Sequence, residues 1–220
     1  MRDWTKNQIT AVWIRHGATE ANRERRYLGK TDEPLSQTGW AALLEKKKKG
    51  CYPDVRYLFS SPMKRCLQTA ELLYSDVVPV VIPEWEEMDF GRFELKNYRE
   101  LKEDAYYRAW TDSGGTLPFP EGESREAFVR RCEAGFQRMC EILERLLRKE
   151  GTHDVTVGMT VHGGTIMALF DRYCGGGYFD YQTENGNGYR CRIADREGRA
   201  VLTDPRPLVT ELLSEEENAK

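Results

Sequence analysis

Short apolar runs alternate with amphipathic stretches along this chain, and the two patterns predict different elements. Ile9 to Ile14, Val55 to Phe59, Val77 to Ile82 and Asp154 to Val161 have strand length and are rich in β-branched residues. Between them the apolar period becomes helical. Leu35-Ser36-Gln37-Thr38-Gly39 opens a helix with Ser36 as N-cap, which runs to Lys46–Lys49 and stops at Gly50. Ser60-Ser61-Pro62 starts a second helix, from Met63 to Tyr74, with proline at its first position. The longest helix starts at Ser124 and continues to Glu150, with Phe128, Cys132, Phe136, Met139, Leu143 and Leu146 on one buried face. A further helix covers Thr165 to Cys174. Asn187–Ala194 and Ala200–Thr203 read as two strands around a Glu197-Gly198 turn. Strands alternating with helices predict an α/β fold, a three-layer α/β/α sandwich around a mostly parallel sheet.

One segment breaks the pattern. Pro83 to Ser124 is irregular, with helical pieces near Tyr98–Lys102 and Ala105–Thr111. Loops of this length inside a domain tend to be lids or covers. The expected organisation is therefore a single domain over residues 1–220 with a small cap inserted at 92–123.

Composition narrows the classes. With 40% apolar and 31% charged residues the chain reads as a globular protein, not a disordered one. A formal net charge of -3 gives no general reason to expect nucleic acid or an anionic membrane as partner, so any anion site must be local. The N-terminus lacks the apolar stretch of a signal peptide, and no apolar run reaches the roughly 18 residues of a membrane span. The six cysteines are scattered without a Cys-x-x-Cys, which fits reduced thiols in a cytoplasmic protein and lends no support to zinc. The acidic tail after Leu213 reads as frayed.

The chain has three histidines, and two share one local setting. Val12-Trp13-Ile14-Arg15-His16-Gly17 and Met159-Thr160-Val161-His162-Gly163 each end a buried strand at an imidazole followed by glycine. Ligands of open α/β sheets bind at the carboxyl ends of strands. Two imidazoles there, one beside an arginine, point to a site for an anion and a nucleophile. The third histidine, in Gly151-Thr152-His153-Asp154, reads as part of a surface turn.

Arg15-His16-Gly17-Ala18-Thr19-Glu20-Ala21-Asn22 closely resembles the Arg-His-Gly-x-Thr signature of the histidine phosphatase superfamily, the phosphoglycerate-mutase-like proteins. Further segments are similar to that family in order. Tyr27-Leu28-Gly29 and Asp32–Gly39 resemble its loop into the first long helix. Ser60-Ser61-Pro62-Met63-Lys64-Arg65 resembles its second-arginine helix, and Glu87-Met88-Asp89-Phe90-Gly91 its acid loop. Glu121-Gly122-Glu123-Ser124 and Val161-His162-Gly163-Gly164 resemble its Gly-Glu-Ser turn and second histidine.

The resemblance implies a phosphoglycerate-mutase-like fold and phosphoryl transfer through a covalent phosphohistidine. It casts His16 as nucleophile and Glu87 as the acid, chosen by its register before Phe90-Gly91, with Glu86 the alternative. Arg15, Arg65, His162, Asn22 and the backbone N–H at Gly163 would hold the phosphoryl oxygens. The chemistry suits these residue types. Arginine forks match the charged equatorial oxygens of a transferring phosphoryl group, and a neutral imidazole can attack phosphorus once its other nitrogen is held by an acceptor. No metal or other cofactor is implied, because arginines and imidazoles supply the positive charge. Thr19 reads as a helix cap, Glu123 and Ser124 as a capping arrangement, and Lys64 as surface. The expected partner is a small-molecule phosphate ester, with no nucleic acid and no membrane. A homodimer is allowed.

Within the family the chain looks closest to α-ribazole and bacterial broad phosphatases. The stretch from Tyr98 to Pro120 is short, carries only Arg99 and Arg108 as arginines, and is aromatic at Tyr98, Tyr106, Tyr107, Trp110 and Phe119. Mutases of the family carry a longer, arginine-rich insertion there. Hydrolysis of a monophosphate such as α-ribazole 5′-phosphate, from cobalamin biosynthesis, is therefore expected. Phosphoglycerate mutase and sugar-phosphate phosphatase activities are the alternatives, and a non-catalytic phospho-ligand-binding relative is a weaker one. The aromatics either stack on a substrate ring or pack the cap against the body. One position departs from the family: Leu95 stands where such phosphatases usually carry glycine, and leucine disfavours a positive φ, so the acid loop is expected to take a different path.

Overall fold

The computed structural model describes residues 8–151 and 154–208. His153 and the tail after Leu213 lie outside the described residues. The chain runs β1 (Gln8–Arg15), α1 (Glu20–Arg23), α2 (Gln37–Lys48), β2 (Tyr57–Ser60), α3 (Lys64–Leu73), β3 (Val80–Val81), α4 (Tyr98–Leu101), α5 (Ala105–Asp112), α6 (Arg125–Glu150), β4 (Asp154–Val161), α7 (Gly163–Cys174), β5 (Gly188–Arg196) and β6 (Arg199–Pro207). The described strands form one sheet in the order β3-β2-β4-β1-β5-β6. β3, β2, β4 and β1 are parallel, and β5 and β6 add an antiparallel edge.

β1 shows why the sheet needs helices on both faces. Ile9, Ala11 and Trp13 point to one side, where they join Phe136, Met139 and Phe170 of α6 and α7. Val12 and Ile14 point to the other, against Leu43, Ala70 and Leu73 of α2 and α3. A strand buried on both faces reads as a continuous apolar run. The chain leaves β1 toward the α2/α3 layer and leaves β4 toward α7 in the opposite layer. Because β1 and β4 are neighbours, their carboxyl ends open a crevice between the layers, the switch point where open α/β sheets bind ligands.

The helices begin where their caps dictate. The Ser36 hydroxyl accepts from Gly39 N and the Ser124 hydroxyl from Ala127 N, while Gly151, at φ 65, closes α6. Thr19 caps α1 by accepting from Asn22 N. α3 departs from expectation. Met63, not a serine, holds its N-cap position in extended conformation, and Pro62 lies outside the helix. β3 is also shorter than the Val77–Ile82 run. It lies at the sheet edge, and Val78 is 89% exposed, so apolar character there is not matched by burial. β6 runs on to Pro207, which an edge strand tolerates because its outer N–H groups need no partner.

Residues 92–123 carry α4 and α5 and lie over the crevice. Phe93, Tyr107 and Phe119 are buried and continuous with the core under α6 and α7. Among the described residues no helix is long and apolar enough to cross a membrane.

Candidate active site

His16 follows the last residue of β1. Its backbone N–H still donates to Val161 O at 2.9 Å, so the two strand ends stay in register and His16 and His162 emerge side by side, ring centroids 5.2 Å apart. The His16 Nδ1 lies 2.7 Å from Gly17 O. A carbonyl only accepts, so Nδ1 carries the proton and Nε2 keeps the lone pair. Burial, with Arg65 and Arg15 nearby, pushes the His16 pKa well below its ordinary value and keeps the ring neutral.

His162 occupies the N-cap position of α7 and is fully buried. Its Nε2 meets Ser61 Oγ at 2.7 Å, and Cys66 Sγ packs at 3.5 Å from the same nitrogen. Ser61 follows β2 and is set by β4, through its N–H to Thr160 O at 3.0 Å. His162 is held neutral by burial first, then by Arg65 and His16.

The two arginines arrive from different elements. Arg15 ends β1, and its Nη1 donates to Thr183 O at 2.6 Å. Arg65, in the first turn of α3, is fully buried and spends its terminal nitrogens on Thr31 O at 2.9 Å and Gly29 O at 2.8 Å. The Nε of each is buried without a protein partner. Asn22 Oδ1 accepts from Thr19 N at 3.2 Å and from Asn185 Nδ2 at 3.1 Å. Its remaining polar group is the Nδ2 donor, on the rim of the crevice.

Glu87 reaches the same place from the irregular segment after β3. Its Oε1 accepts from Met88 N at 2.9 Å and its Oε2 from Gly164 N at 3.4 Å. Burial raises its pKa, against the opposing pull of two backbone N–H groups and of Arg65 and Arg15. Glu86, one residue away, gives its carbonyl to Arg131 and does not line the crevice. Gly163 does line it, at the start of α7.

These groups face a cavity of about 1050 Å³ that Arg15, His16, Asn22, Glu87 and Gly163 line on one side. Arg65 and His162 lie beneath that floor, with no exposed surface of their own. The opposite wall is aromatic: Tyr27, Tyr98, Tyr107, Trp110 and Phe119 from the cap side, and Tyr178 and Phe179 from the turn after α7. Arg125 stacks on Tyr178 and Phe179 with 4.6 and 5.2 Å to the ring centroids. Residues 182–185, which close the rim, carried no recognised signal in the sequence beyond the turn-rich Asn185-Gly186-Asn187-Gly188. Their role comes from backbone and amide groups, which residue type alone does not announce.

Two expectations change. Leu95 does adopt the left-handed conformation, at φ 58, which a leucine side chain disfavours. The Leu95 N–H donates to Tyr27 O at 2.8 Å and its carbonyl accepts from Arg26 Nη1 at 2.6 Å, and these bonds hold the strained backbone. Glu123 does not cap α6. Ser124 does so alone, while Glu123 pairs with Arg131 at 2.8 Å.

A histidine at the end of each of two neighbouring strands stands with Arg15, the buried Arg65 and the Glu87 carboxyl around one crevice. A sequence model of the histidine phosphatase superfamily (branch 1) matches residues 12–203. The chain belongs to the histidine phosphatase superfamily. The adenosylcobalamin/alpha-ribazole phosphatase of Escherichia coli is 33% identical over 171 residues, covering 74% of this chain and 79% of that protein. The crystal structure of the alpha-ribazole phosphatase from Shigella flexneri superposes with a TM-score of 0.68 at 25% identity, covering 92% of this chain and 96% of that one. A phosphoserine phosphatase from Entamoeba histolytica, in complex with 3-phosphoglyceric acid, shares the fold at a TM-score of 0.69 and 23% identity, covering 90% and 96%. Like these relatives the chain is a phosphatase.

Proposed function

We propose that the protein hydrolyses a small phosphate monoester through a phosphohistidine on His16, and that its substrate carries a flat ring, as α-ribazole 5′-phosphate does. The observation that carries the mechanism is the Nδ1 contact with Gly17 O, which leaves Nε2 of a neutral imidazole as nucleophile. The Nε2 lone pair forms the P–N bond as the ester P–O bond breaks, and Glu87 gives its proton to the departing alkoxide. Arg15 and Asn22 donate to the equatorial oxygens, with the Gly163 N–H at the start of α7, and Arg65 adds its positive charge from beneath the floor. His162, held through Nε2 by Ser61, backs the His16 ring from beneath the floor. Glu87, now a carboxylate, takes a proton from water. The water oxygen bonds to phosphorus, the P–N bond breaks, and inorganic phosphate and neutral His16 result. Burial favours both roles, since it lowers the pKa of His16 and raises that of Glu87.

Support for the ring-bearing substrate comes from the aromatic wall, from a cavity of about 1050 Å³ that far exceeds a three-carbon phosphate, and from the names of the relatives. The test is steady-state hydrolysis of α-ribazole 5′-phosphate, 3-phosphoglycerate and sugar phosphates, with acid-quench trapping of labelled enzyme. α-Ribazole 5′-phosphate should have the highest kcat/KM, and His16→Ala should abolish both turnover and acid-labile label. Full activity in His16→Ala would remove the histidine from the mechanism. Efficient interconversion of 2- and 3-phosphoglycerate would make the protein a mutase instead.

A further inference from the structure

Glu87 sits on a segment with no regular structure of its own, between a 3₁₀ turn at Pro83–Trp85 and another at Gly91–Phe93. An acid catalyst must be placed to within a fraction of an ångström, and loops do that poorly unless a rigid element supports them. Here the support is one side chain of α6. Arg131 Nη1 donates to Glu84 O at 2.9 Å and to Glu86 O at 2.8 Å, and Nη2 reaches Glu87 O at 3.4 Å. The far edge of the same guanidinium is gripped by Glu123, through Nε–Oε1 at 3.2 Å and Nη2–Oε2 at 2.8 Å. Glu123 in turn donates its N–H to Asp89 O at 2.9 Å, beyond Glu87. The acid is thus bracketed: three carbonyls up to and including its own are gathered by Arg131, and the carbonyl two residues later is held by the partner of Arg131.

We propose that Arg131, oriented by Glu123, is a positioning residue that sets Glu87 against the leaving-group oxygen of the substrate. It touches the backbone and never the reacting atoms. A guanidinium suits the task because its planar fork offers several donors in fixed directions, and lysine cannot reproduce them. The inference rests on the reading of Glu87 as proton donor.

The experiment compares kcat/KM for an alkyl monophosphate, whose alkoxide needs a proton, with that for p-nitrophenyl phosphate, whose leaving anion does not. This parameter reports steps up to phosphoryl transfer, so hydrolysis of the phosphoenzyme does not enter. Glu87→Gln, measured first, should lose about a hundredfold or more on the alkyl ester and much less on the aryl one. An equal loss on both would refute the reading of Glu87 itself. Arg131→Lys should show the same selectivity, about tenfold on the alkyl ester with little change on the aryl ester and in KM. Glu123→Gln keeps the shape of the clamp but loosens it, and should fall between Arg131→Lys and the parent. If Arg131→Lys does not fold, Glu123→Gln decides by the same ratio. Where Glu87→Gln is selective, equal losses on both esters in the folded Arg131 or Glu123 variant, or no loss, would overturn the positioning role.

Discussion

Single residues here carry opposing demands of stability and chemistry. Leu95 is one. A non-glycine residue in the left-handed region costs about 1–2 kcal/mol, and asparagine tolerates that region better. Leu95→Asn should therefore raise the unfolding free energy by about 0.5–1 kcal/mol with activity unchanged, as read by urea denaturation and hydrolysis rates. The titrating groups are others. Glu87 has a raised folded pKa, so the native state binds more protons than the unfolded chain above the unfolded value of 4.5, and stability falls as pH rises through that window. His16 and His162 have lowered folded values. The unfolded chain then binds more protons below 6.5, and stability falls as pH drops beneath it. Glu87→Gln should flatten the first dependence and gain stability at neutral pH while losing hydrolysis, which chemical denaturation at several pH values would show. Retained pH dependence above 4.5 in that variant would assign it to other groups.

At the scale of elements, the site is an agreement between segments that arrive separately. α7 starts at Gly163, and its second residue, Gly164, packs directly on the acid loop. A Cβ at Gly164 would overlap Glu87 Oε1 and press on Phe128 Cε1 at 3.1 Å. Gly164→Ala should thus displace the carboxyl, lowering kcat/KM strongly and costing about 1–3 kcal/mol of stability by overpacking. Wild-type rates in Gly164→Ala would show that Glu87 tolerates a shift. The elements themselves were mostly readable. β1, β4 and α6 announce themselves because apolar period and burial coincide, and Ser36 and Ser124 mark helix starts by a local hydrogen bond. β3 was read too long because Val77 to Ile82 is apolar, yet only the two residues that pair with β2 are strand. Pro79 interrupts the run, and a proline there confines the strand to the sheet edge. Glu123 does not cap α6 because its partner, Arg131, lies two turns into that helix, and together the two hold the carbonyls of Glu86, Glu87 and Asp89.

For the molecule as a whole, the cap segment both packs on the core and walls the cavity. Some of its aromatic residues pack the cap against the body, and others line the cavity. Phe93, at 1% exposure, packs edge-on against Tyr107 at 5.4 Å and Phe119 at 5.7 Å, while Tyr98, at 64%, stands at the cavity mouth. Phe93→Ala should cost about 3–5 kcal/mol, whereas Tyr98→Ala should change stability by less than about 0.5 kcal/mol. Thermal melts of the two variants separate these outcomes, and comparable losses would mean that the cap is not one packed cluster.

Local chemistry, carried along the chain, was enough to establish the alternation of strands and helices, the caps, and the segments bearing His16, Arg65, Glu87 and His162. Each of these depends on a residue and its near neighbours. Folding alone settled which of those groups share a surface. It put Arg65 and His162 beneath the cavity floor and Arg15, His16, Asn22 and Glu87 on it. It also turned His162 toward Ser61 and lent the acid loop an arginine from a distant helix. Those outcomes depend on contacts between residues far apart in the chain, where burial and hydrogen-bond partners are fixed by the packing of whole layers.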